Sequence, residues 1–529
     1  MEYEPVIGLE VHVQLSTRSK MFCACAADYQ SAEPNTRVCP VCLALPGTLP
    51  VVNRQAVEDA IMIGLALNCE VAPTTKFDRK NYPYPDLMKG YQISQYDVPI
   101  CRKGWLEVPG ANGDGPARIR INRVHMEEDV ARLIHIAGPD GGPGHTLMDV
   151  NRAGTPLMEV VSEPDIRSPK QAGQYIETLQ AIIRYLGVGT ANMEEGSFRC
   201  DANVSVRPRG AAALGTRVEV KNMNRVRAVT RAIEHEIVRQ TRVIEDGGRI
   251  VQETRGWDDV RGGTVPQRSK EEAHDYRYFP EPDIPPIVIG RDWVARVRAR
   301  LPELPAARRA RFQQQYGLSE YDTSLLTASR SVADYFEAVA VTHPVQQALD
   351  ERGSRSDLDD LGGVHRPFKA VASVVSDTED QDRRAFAKEA ANWLNGEMAR
   401  LLNEDGQDIS AVRIKPGHLA SLVEKFRKRD LNNATAKAVF EEMYRTGEDP
   451  EAIIKAKGLT KVAGLSALGP IIEQVVTANK SAVADFLAGK EPALRFLVGQ
   501  VMKSSRGQAD AEVAAKLLRE RLGALKAGR

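Results

Sequence analysis

The segment Val6-Ile-Gly-Leu-Glu-Val-His-Val-Gln-Leu15 alternates apolar and polar side chains. Because successive side chains of a β-strand point to opposite faces, its leucines and valines share one face, whereas Glu10 and His12 share the other. The segments 201–207 and 217–221 repeat this alternation. Two structures fit the pattern: an antiparallel sheet with one solvated face, or a sheet that curls around a polar cavity.

Two helices are predicted in the same region. Ser168 can cap the first, Pro169 suits its first turn, Gln171 stands at the capping-box position and Gly187 can end it. Apolar residues recur between them at helical spacing. The second helix is predicted over 228–244. Strands and capped helices within one unit predict an α+β fold.

The chain of 529 residues is long enough for several domains. A proline-rich segment and a change to Ala-, Arg- and Leu-rich texture predict an α+β domain over 1–290 and a helical domain over 291–410. A basic helical tail follows over 411–529. The stretch 343–382 is polar and weakly periodic, which predicts a long loop or an insertion, with helices resuming near Arg384.

The composition is typical of a globular protein. It is 42% hydrophobic and 27% charged, which argues against long disorder or a fibrous repeat. The longest apolar run, at about 60–67, is far shorter than the roughly 20 residues of a membrane span. The N-terminal segment lacks the pattern of a secretory signal. We therefore expect a cytoplasmic protein with no membrane partner.

Charge is distributed unevenly, although the formal net charge is zero. Residues 411–529 hold 21 Lys and Arg against 13 Asp and Glu, so the preceding residues carry an equal negative excess. A basic end on an acidic body favours a polyanionic partner for the tail. The alternative is a chance imbalance on solvated helices.

Four of the seven cysteines form two close pairs, Cys23 with Cys25 and Cys39 with Cys42, separated by thirteen residues. Two such pairs can place four thiolates in the tetrahedron that zinc prefers, and disulfides are disfavoured in the cytoplasm. Four thiolates leave no position for water, so the expected zinc is structural. The alternative is a group of buried, reduced cysteines.

Carboxylates and single imidazoles recur at strand ends. Glu10 and His12 share a strand face, the run 125–129 is His-Met-Glu-Glu-Asp, and Glu194 and Glu195 precede Asp201. Crowded carboxylates repel each other unless a cation compensates, and this ligand set suits magnesium better than zinc. Solvated acidic turns are the alternative.

A third stretch, 77–95, is rich in tyrosine and basic residues. Arg79 and Lys80 are suited to phosphates, and its tyrosines to stacking on a base or ribose. The sequence has no GxxxxGK[ST] loop, no GxGxxG opening a helix, no HExxH and no GxSxG. Any nucleotide is therefore bound outside the common motifs.

Taken together, ten blocks of sequence resemble the B subunits of the bacterial aspartyl/glutamyl-tRNA amidotransferases. The blocks are Gly8-Leu-Glu-Val-His12, Cys39-Pro-Val-Cys42, Tyr84-Pro-Asp-Leu87, Lys89-Gly-Tyr-Gln-Ile-Ser-Gln95, His125-Met-Glu-Glu-Asp129, Asn151-Arg-Ala-Gly-Thr-Pro156, Asn192-Met-Glu-Glu-Gly196, Arg199-Cys-Asp-Ala-Asn203, Asp275-Tyr-Arg-Tyr-Phe-Pro-Glu-Pro-Asp283 and Phe496-Leu-Val-Gly-Gln-Val-Met-Lys503. They run in order along nearly the whole chain.

The resemblance implies a ligase subunit that forms a carbon–nitrogen bond with glutamine as amide donor. Such a subunit uses ATP and magnesium to phosphorylate the Asp or Glu carboxylate of mischarged Asp-tRNA(Asn) or Glu-tRNA(Gln). Ammonia channelled from the amidase partner, the A subunit, then displaces the phosphate, and the small C subunit joins the two. The implied fold is a cradle domain followed by a helical domain and a helical tail that binds tRNA.

The resemblance also implies site residues. The candidate catalytic residues and magnesium ligands are Glu10, His12, Glu127, Glu128 and Asp201, with Glu195 as a further ligand. The candidates for binding ATP or the tRNA acceptor end are Arg79, Lys80, Lys89 and Tyr91.

Two other functions remain open at this point. One is a non-catalytic RNA-binding assembly factor with a zinc module and a basic tail. The other is a self-sufficient enzyme that uses free ammonia.

Overall fold

A computed structural model describes residues 2–110, 115–138, 144–269, 276–343, 376–459, 465–505, 509 and 511–527. The chain divides into two compact units, Met1–Leu304 and Pro305–Arg529.

The first unit contains all the described strands and four helices. The strands are β1 (Tyr3–Gln14), β2 (Glu70–Val71), β3 (Thr74–Thr75), β4 (Asp78–Asn81), β5 (Tyr91–Ser94), β6 (Cys101–Val108), β7 (Ala117–Glu128), β8 (Arg132–Ile136), β9 (His145–Asp149), β10 (Pro156–Ser162), β11 (Phe198–Pro208), β12 (Val218–Lys221), β13 (Glu253–Asp258), β14 (Gly263–Ser269), β15 (Phe279–Pro280) and β16 (Ile287–Val288). The helices are α1 (Arg54–Ala66), α2 (Pro169–Leu186), α3 (Val226–Glu245) and α4 (Arg291–Ala299).

A nine-stranded sheet organises this unit, in the order β14-β13-β12-β11-β1-β10-β7-β6-β2. Neighbouring strands are antiparallel except β12 and β13, which are parallel. Three small sheets accompany it, ordered β15-β4-β5, β16-β3 and β8-β9. The predicted α+β class is confirmed.

One face of the large sheet is apolar and covered by helices. Leu9, Val11 and Val13 of β1 are fully buried in one core with side chains of α1, α2 and α3. Burial of each such side chain stabilises the fold by about 2 kcal/mol. The other face carries Glu10 and His12, so the alternation in the sequence predicted correctly which side chains leave the core.

The predicted helix start at Ser168 is confirmed. The Ser168 hydroxyl accepts a hydrogen bond from the backbone N–H of Gln171, and the Gln171 side chain accepts one from the backbone N–H of Arg167. Both bonds satisfy donors near a helix start. At the other end, Gly187 has φ 69°, a left-handed conformation that favours glycine.

The second unit is helical in its described residues. Its helices are α5 (Pro305–Tyr316), α6 (Glu320–Leu326), α7 (Arg330–Ala340), α8 (Asp377–Trp393), α9 (Ala399–Asp405), α10 (Pro416–Arg427), α11 (Asn433–Thr446), α12 (Pro450–Lys457), α13 (Leu465–Ala478), α14 (Lys480–Leu487), α15 (Pro492–Ser504) and α16 (Ala511–Ala527). A π-helical turn, Leu394–Met398, joins α8 to α9.

Two apolar cores lie within this unit. One contains buried side chains from Phe312 to Ile454, and the other contains those from Leu468 to Leu522. The first core continues across residue 411, so the predicted start of the tail does not coincide with a change of core. The three-part division of the chain stays a prediction.

Helix α8 begins at Asp377, where Ser376 and Glu379 form a capping box. The expected restart of helices near Arg384 is therefore wrong, because a polar first turn concealed the helix start. The polar stretch predicted over 343–382 overlaps the first residues of this helix. Residues 344–375 lie outside the described part of the chain.

Candidate functional site

A row of four polar residues crosses the open face of the large sheet. Strand register places His12 of β1 opposite Glu159 of β10 and opposite Arg199 of β11. Glu159 in turn lies opposite His125 of β7. Residues that are distant in sequence therefore meet because their strands are neighbours.

Two carboxylates and two imidazoles converge in this row. His12 Nε2 lies 3.5 Å from Glu159 Oε2, and His125 Nε2 lies 3.2 Å from the same oxygen and 3.3 Å from Glu127 Oε1. The Ser94 hydroxyl donates to Glu127 Oε1 at 2.7 Å. One ligand atom each from His12, Glu127 and Glu159 lies within 4.8 Å of the other two. We call these three residues the His12 cluster.

The His12 cluster is strongly polarised. Burial lowers the pKa of His125, but the charges and hydrogen bonds of Glu159 and Glu127 outweigh it and raise that pKa to about 9. Burial raises the pKa of Glu127, but the charge of Lys80 and the hydrogen bond of His125 lower it to about 2. Glu159 is held well below its usual pKa by both histidines, against the effect of burial. Both carboxylates are thus ionised in a buried setting, which suits a hard cation.

Glu10 and Asp201 lie beside the His12 cluster, not within it. They face each other across β1 and β11. The Asn203 amide donates to Glu10 at 2.9 Å, and Lys221 Nζ lies 2.6 Å from Asp201. Burial, followed by the charges of neighbouring carboxylates, raises the pKa of Glu10. Lys221 already compensates Asp201, so the second carboxylate pair differs from the cluster.

A cavity of about 1250 Å³ opens over this face, and we call it the polar cavity. Its wall brings together acidic, basic and aromatic side chains, among them His12, Lys80, Tyr82, Glu127, Asp129, Arg152, Glu195, Arg199, Asp201, Lys221 and Trp257. The sequence left open whether the polar sheet face is merely solvated or lines a cavity, and the structure shows a cavity.

Glu128 is the neighbour of Glu127 on β7, but side-chain alternation directs it to the other face of that strand. Its Oε1 accepts the backbone N–H of Ile93 at 3.0 Å and lies 2.5 Å from Lys89 Nζ. With Tyr91 and Asp283 these residues line a separate space of about 180 Å³, which we call the Lys89 pocket. The structure therefore does not group Glu128 with the other candidate metal ligands.

The four candidates for nucleotide binding are divided in the same way. Arg79 makes two hydrogen bonds to Glu281, at 2.7 and 2.8 Å, and its guanidinium stacks 4.3 Å from the centre of the Tyr91 ring. Lys89 and Tyr91 line the Lys89 pocket. Of the four, Lys80 lines the polar cavity.

Lys80 is a basic group whose charge acts directly on the His12 cluster. Burial lowers its pKa, but the charge of Glu127 and of other neighbours raises it above its usual range. Its Nζ lies 5.1 Å from the centre of the Tyr276 ring and 5.8 Å from that of Tyr82. A cation held this way is suited to an anionic ligand.

The four clustered cysteines come together as predicted. One sulfur atom of each of Cys23, Cys25, Cys39 and Cys42 lies within 4.8 Å of the other three. The backbone N–H of Cys39 donates to Cys42 Sγ at 3.1 Å. All seven cysteines are free, and the remaining three are buried in the core of the first unit. A donor set of four thiols fits zinc.

The site residues proposed from sequence omitted Glu159, His125, Arg199 and Lys221. For Glu159 a signal existed, because it is the one charged residue within the apolar run Leu157-Met-Glu-Val-Val161. A charge within a buried strand is costly unless it is compensated, so it marks a functional position. Its pairing with His12 depends on strand register, which the local pattern does not reveal.

No helix within the described residues combines the length and the apolar character that a membrane span requires.

Comparisons with known proteins cover nearly the whole chain. A family described as "GatB/GatE catalytic domain" matches residues 5–295, and one described as "GatB domain" matches residues 374–522. The first match contains the His12 cluster, the polar cavity wall and the four cysteines.

Similar full-length proteins carry one name, that of the aspartyl/glutamyl-tRNA(Asn/Gln) amidotransferase B subunit. The protein of Dehalococcoides mccartyi (strain CBDB1) is 53% identical over 524 residues, which cover 98% of this chain and 99% of that protein. Those of Carboxydothermus hydrogenoformans and Moorella thermoacetica are each 49% identical and cover 99% of this chain and 100% of their own length. The chain therefore belongs to the family of aspartyl/glutamyl-tRNA(Asn/Gln) amidotransferase B subunits.

Proposed function

We propose that this chain is the component of a glutamine-dependent tRNA amidotransferase that activates the amino acid on a mischarged tRNA. ATP phosphorylates the side-chain carboxylate of Asp-tRNA(Asn) or Glu-tRNA(Gln), and ammonia from the amidase partner, the A subunit, then displaces the phosphate. The small C subunit completes the proposed assembly. The observation that carries this proposal is the buried His12 cluster at the wall of a large cavity with basic side chains.

Phosphoryl transfer depends on positioning and charge compensation rather than on a covalent protein group. Two anions, the substrate carboxylate and the triphosphate, must be brought together. Lys80, Arg199 and Lys221 provide positive charge in the polar cavity, which favours binding of both anions. The buried cluster holds fixed carboxylates beside these cations, so the cavity has separate places for anions and for a cation.

The His12 cluster fits magnesium. One imidazole and two ionised carboxylates form a hard, mainly oxygen donor set, and His12, Glu127 and Glu159 would hold the ion. The ion would neutralise phosphate charge during transfer. His125 keeps Glu127 and Glu159 ionised and oriented through its contacts with both. Glu10, Asp201 and Glu195 line or border the same face and are proposed to bind through intervening water.

We assign a structural role to zinc at the four cysteines. The thiolates leave no open coordination position, and the sulfur cluster is separate from the His12 cluster. The alternative function, a non-catalytic RNA-binding assembly factor, would explain this module. It leaves the buried histidines and carboxylates without a use.

The proposal is tested with the chain bound to its partner subunits. ATP consumption should require mischarged tRNA, and a phosphorylated aminoacyl-tRNA should accumulate when glutamine and ammonia are withheld. ATP hydrolysis that is indifferent to tRNA charging would contradict the proposal. Amidation by the lone chain with ammonium chloride would instead indicate a self-sufficient enzyme.

We propose further that the helical tail binds tRNA by charge. The basic run predicted for this contact is largely engaged in ion pairs, since Lys425 lies 2.8 Å from Glu451 and Arg427 pairs with Asp382. The helices after residue 465, with their own core, are therefore the better candidate. Removal of residues 465–529 should weaken tRNA binding and flatten its salt dependence, whereas an unchanged salt slope would contradict the proposal.

A further inference from the structure

Lys20 is buried to an unusual degree for a lysine. Its relative exposure is 0%, and its side chain reaches the cysteine cluster. Its ammonium donates to the carbonyl oxygen of Arg37 at 2.8 Å, to that of Val150 at 3.5 Å and to Cys42 Sγ at 3.7 Å. Lysine is almost never fully buried unless its charge is compensated, and carbonyl oxygens alone carry no net charge.

Metal binding supplies the missing charge. Four thiolates around a divalent zinc ion carry a net charge of −2. One of these sulfur atoms, Cys42 Sγ, accepts a hydrogen bond from Lys20. A buried ammonium beside such a centre is therefore stabilised by the metal site, and it stabilises that site in return.

The same lysine connects the cysteine module to the loop that precedes β10. Val150 lies in this loop, and its neighbour Asn151 is fully buried. The Asn151 side chain donates to the carbonyl of Glu33 and accepts the backbone N–H of Arg37, both at 2.7 Å. The segment between the two cysteine pairs is thus held at several points by one loop.

This loop also contacts the acidic end of β7. The backbone N–H of Asp129 donates to the carbonyl of Thr155, and that of Gly154 donates to the carbonyl of Asp129, both at 2.8 Å. Asp129 follows Glu127 and Glu128 directly. A continuous set of contacts therefore leads from the cysteine module to the strand that carries the cluster carboxylate.

We propose that Lys20 is the internal counter-ion of a four-thiolate zinc centre and fastens that centre to the loop 150–155. This inference rests on the zinc site proposed above. It adds that the stability of the metal centre depends on a charge outside its ligands. Groups next to metal ligands commonly change metal affinity by 10- to 100-fold.

The test measures zinc release from the full chain to a colorimetric chelator near neutral pH. Lys20→Met removes both charge and donor with little change in length, and Lys20→Gln keeps a donor without the charge. Lys170→Met, at an exposed lysine on α2, is the matched control. We expect at least about tenfold faster release from Lys20→Met, an intermediate rate from Lys20→Gln and the wild-type rate from the control.

A wild-type release rate in Lys20→Met would overturn the inference while leaving the zinc site in place. If Lys20→Met does not fold, Lys20→Gln decides by the same criterion. Wild-type protein that is purified under reducing conditions without zinc would overturn both the zinc site and the role of Lys20.

Discussion

Glu127 and Glu128 are neighbours in sequence, yet they lie in two different chemical settings. Glu127 belongs to the His12 cluster, where a second carboxylate and a histidine lie within 4.8 Å of it. Glu128 is paired with Lys89 at 2.5 Å and bounds the small Lys89 pocket. The first setting concentrates ligands for a cation, whereas the second already contains its cation. Consecutive carboxylates in one motif therefore do not share one function.

The largest expected effect is on the cluster side of this comparison. Glu159→Gln removes one buried charge but keeps the shape of the side chain. We expect about a thousandfold loss of phosphorylated aminoacyl-tRNA, because phosphoryl transfer depends on fixed charges. The partner's glutaminase activity, measured in the same complex, is the control. A normal rate of intermediate formation would remove Glu159 from the proposed site.

The cysteine module is expected to affect stability more than chemistry. Cys39→Ser should abolish bound zinc and lower stability by about 3 kcal/mol, roughly 6–12 °C in melting temperature, because metal binding is coupled to folding. Elemental analysis and thermal unfolding measure the two effects. Cys69→Ser, at a buried cysteine of the core, should keep its zinc. Equal zinc contents in both variants would refute the assignment.

Glu128→Gln should have a smaller effect than Glu159→Gln. The amide still accepts the backbone N–H of Ile93, and only the ion pair with Lys89 is lost. We expect roughly a tenfold loss of amidation, consistent with the cost of a lost charged hydrogen bond. Steady-state rates of the assembled complex measure it. A loss as large as that of Glu159→Gln would break the distinction between the two settings.

A third kind of buried carboxylate sharpens the comparison. Burial raises the pKa of Asp59 on α1 to about 6, against about 3.9 in an unfolded chain. Its ionisation therefore costs stability, beginning as pH rises above about 4 and reaching the full cost above about 6. Asp59→Asn should raise the free energy of unfolding by about 2–3 kcal/mol at pH 8 and change it little at pH 4.

The neighbouring Glu58 provides the control of opposite sign. Burial raises its pKa, but hydrogen bonds from Arg300, Arg54 and Trp293 outweigh this and lower it. Its ionised form therefore stabilises the fold above the unfolded pKa, and that stability is lost as pH falls. Glu58→Gln should destabilise the protein at pH 8, whereas Asp59→Asn stabilises it. Denaturant unfolding at both pH values measures each sign.

Local patterns predicted much of the first unit and part of its site. Alternation in β1 identified the face that carries Glu10 and His12, and cysteine spacing identified the sulfur cluster. The meeting of His12 with Glu159 could not be predicted, because it depends on the register of two strands that lie far apart in sequence. The separation of Glu127 from Glu128 follows from strand alternation, a rule that was not applied to this motif.

The separation of the two settings is tested most directly by Mn²⁺ binding, measured by electron paramagnetic resonance as free ion against total ion. Wild type and Glu128→Gln should bind one Mn²⁺ with equal affinity, whereas Glu159→Gln should bind it at least about tenfold more weakly. Retained affinity in Glu159→Gln, or an equal loss in Glu128→Gln, would contradict the assignment of the cation to the His12 cluster.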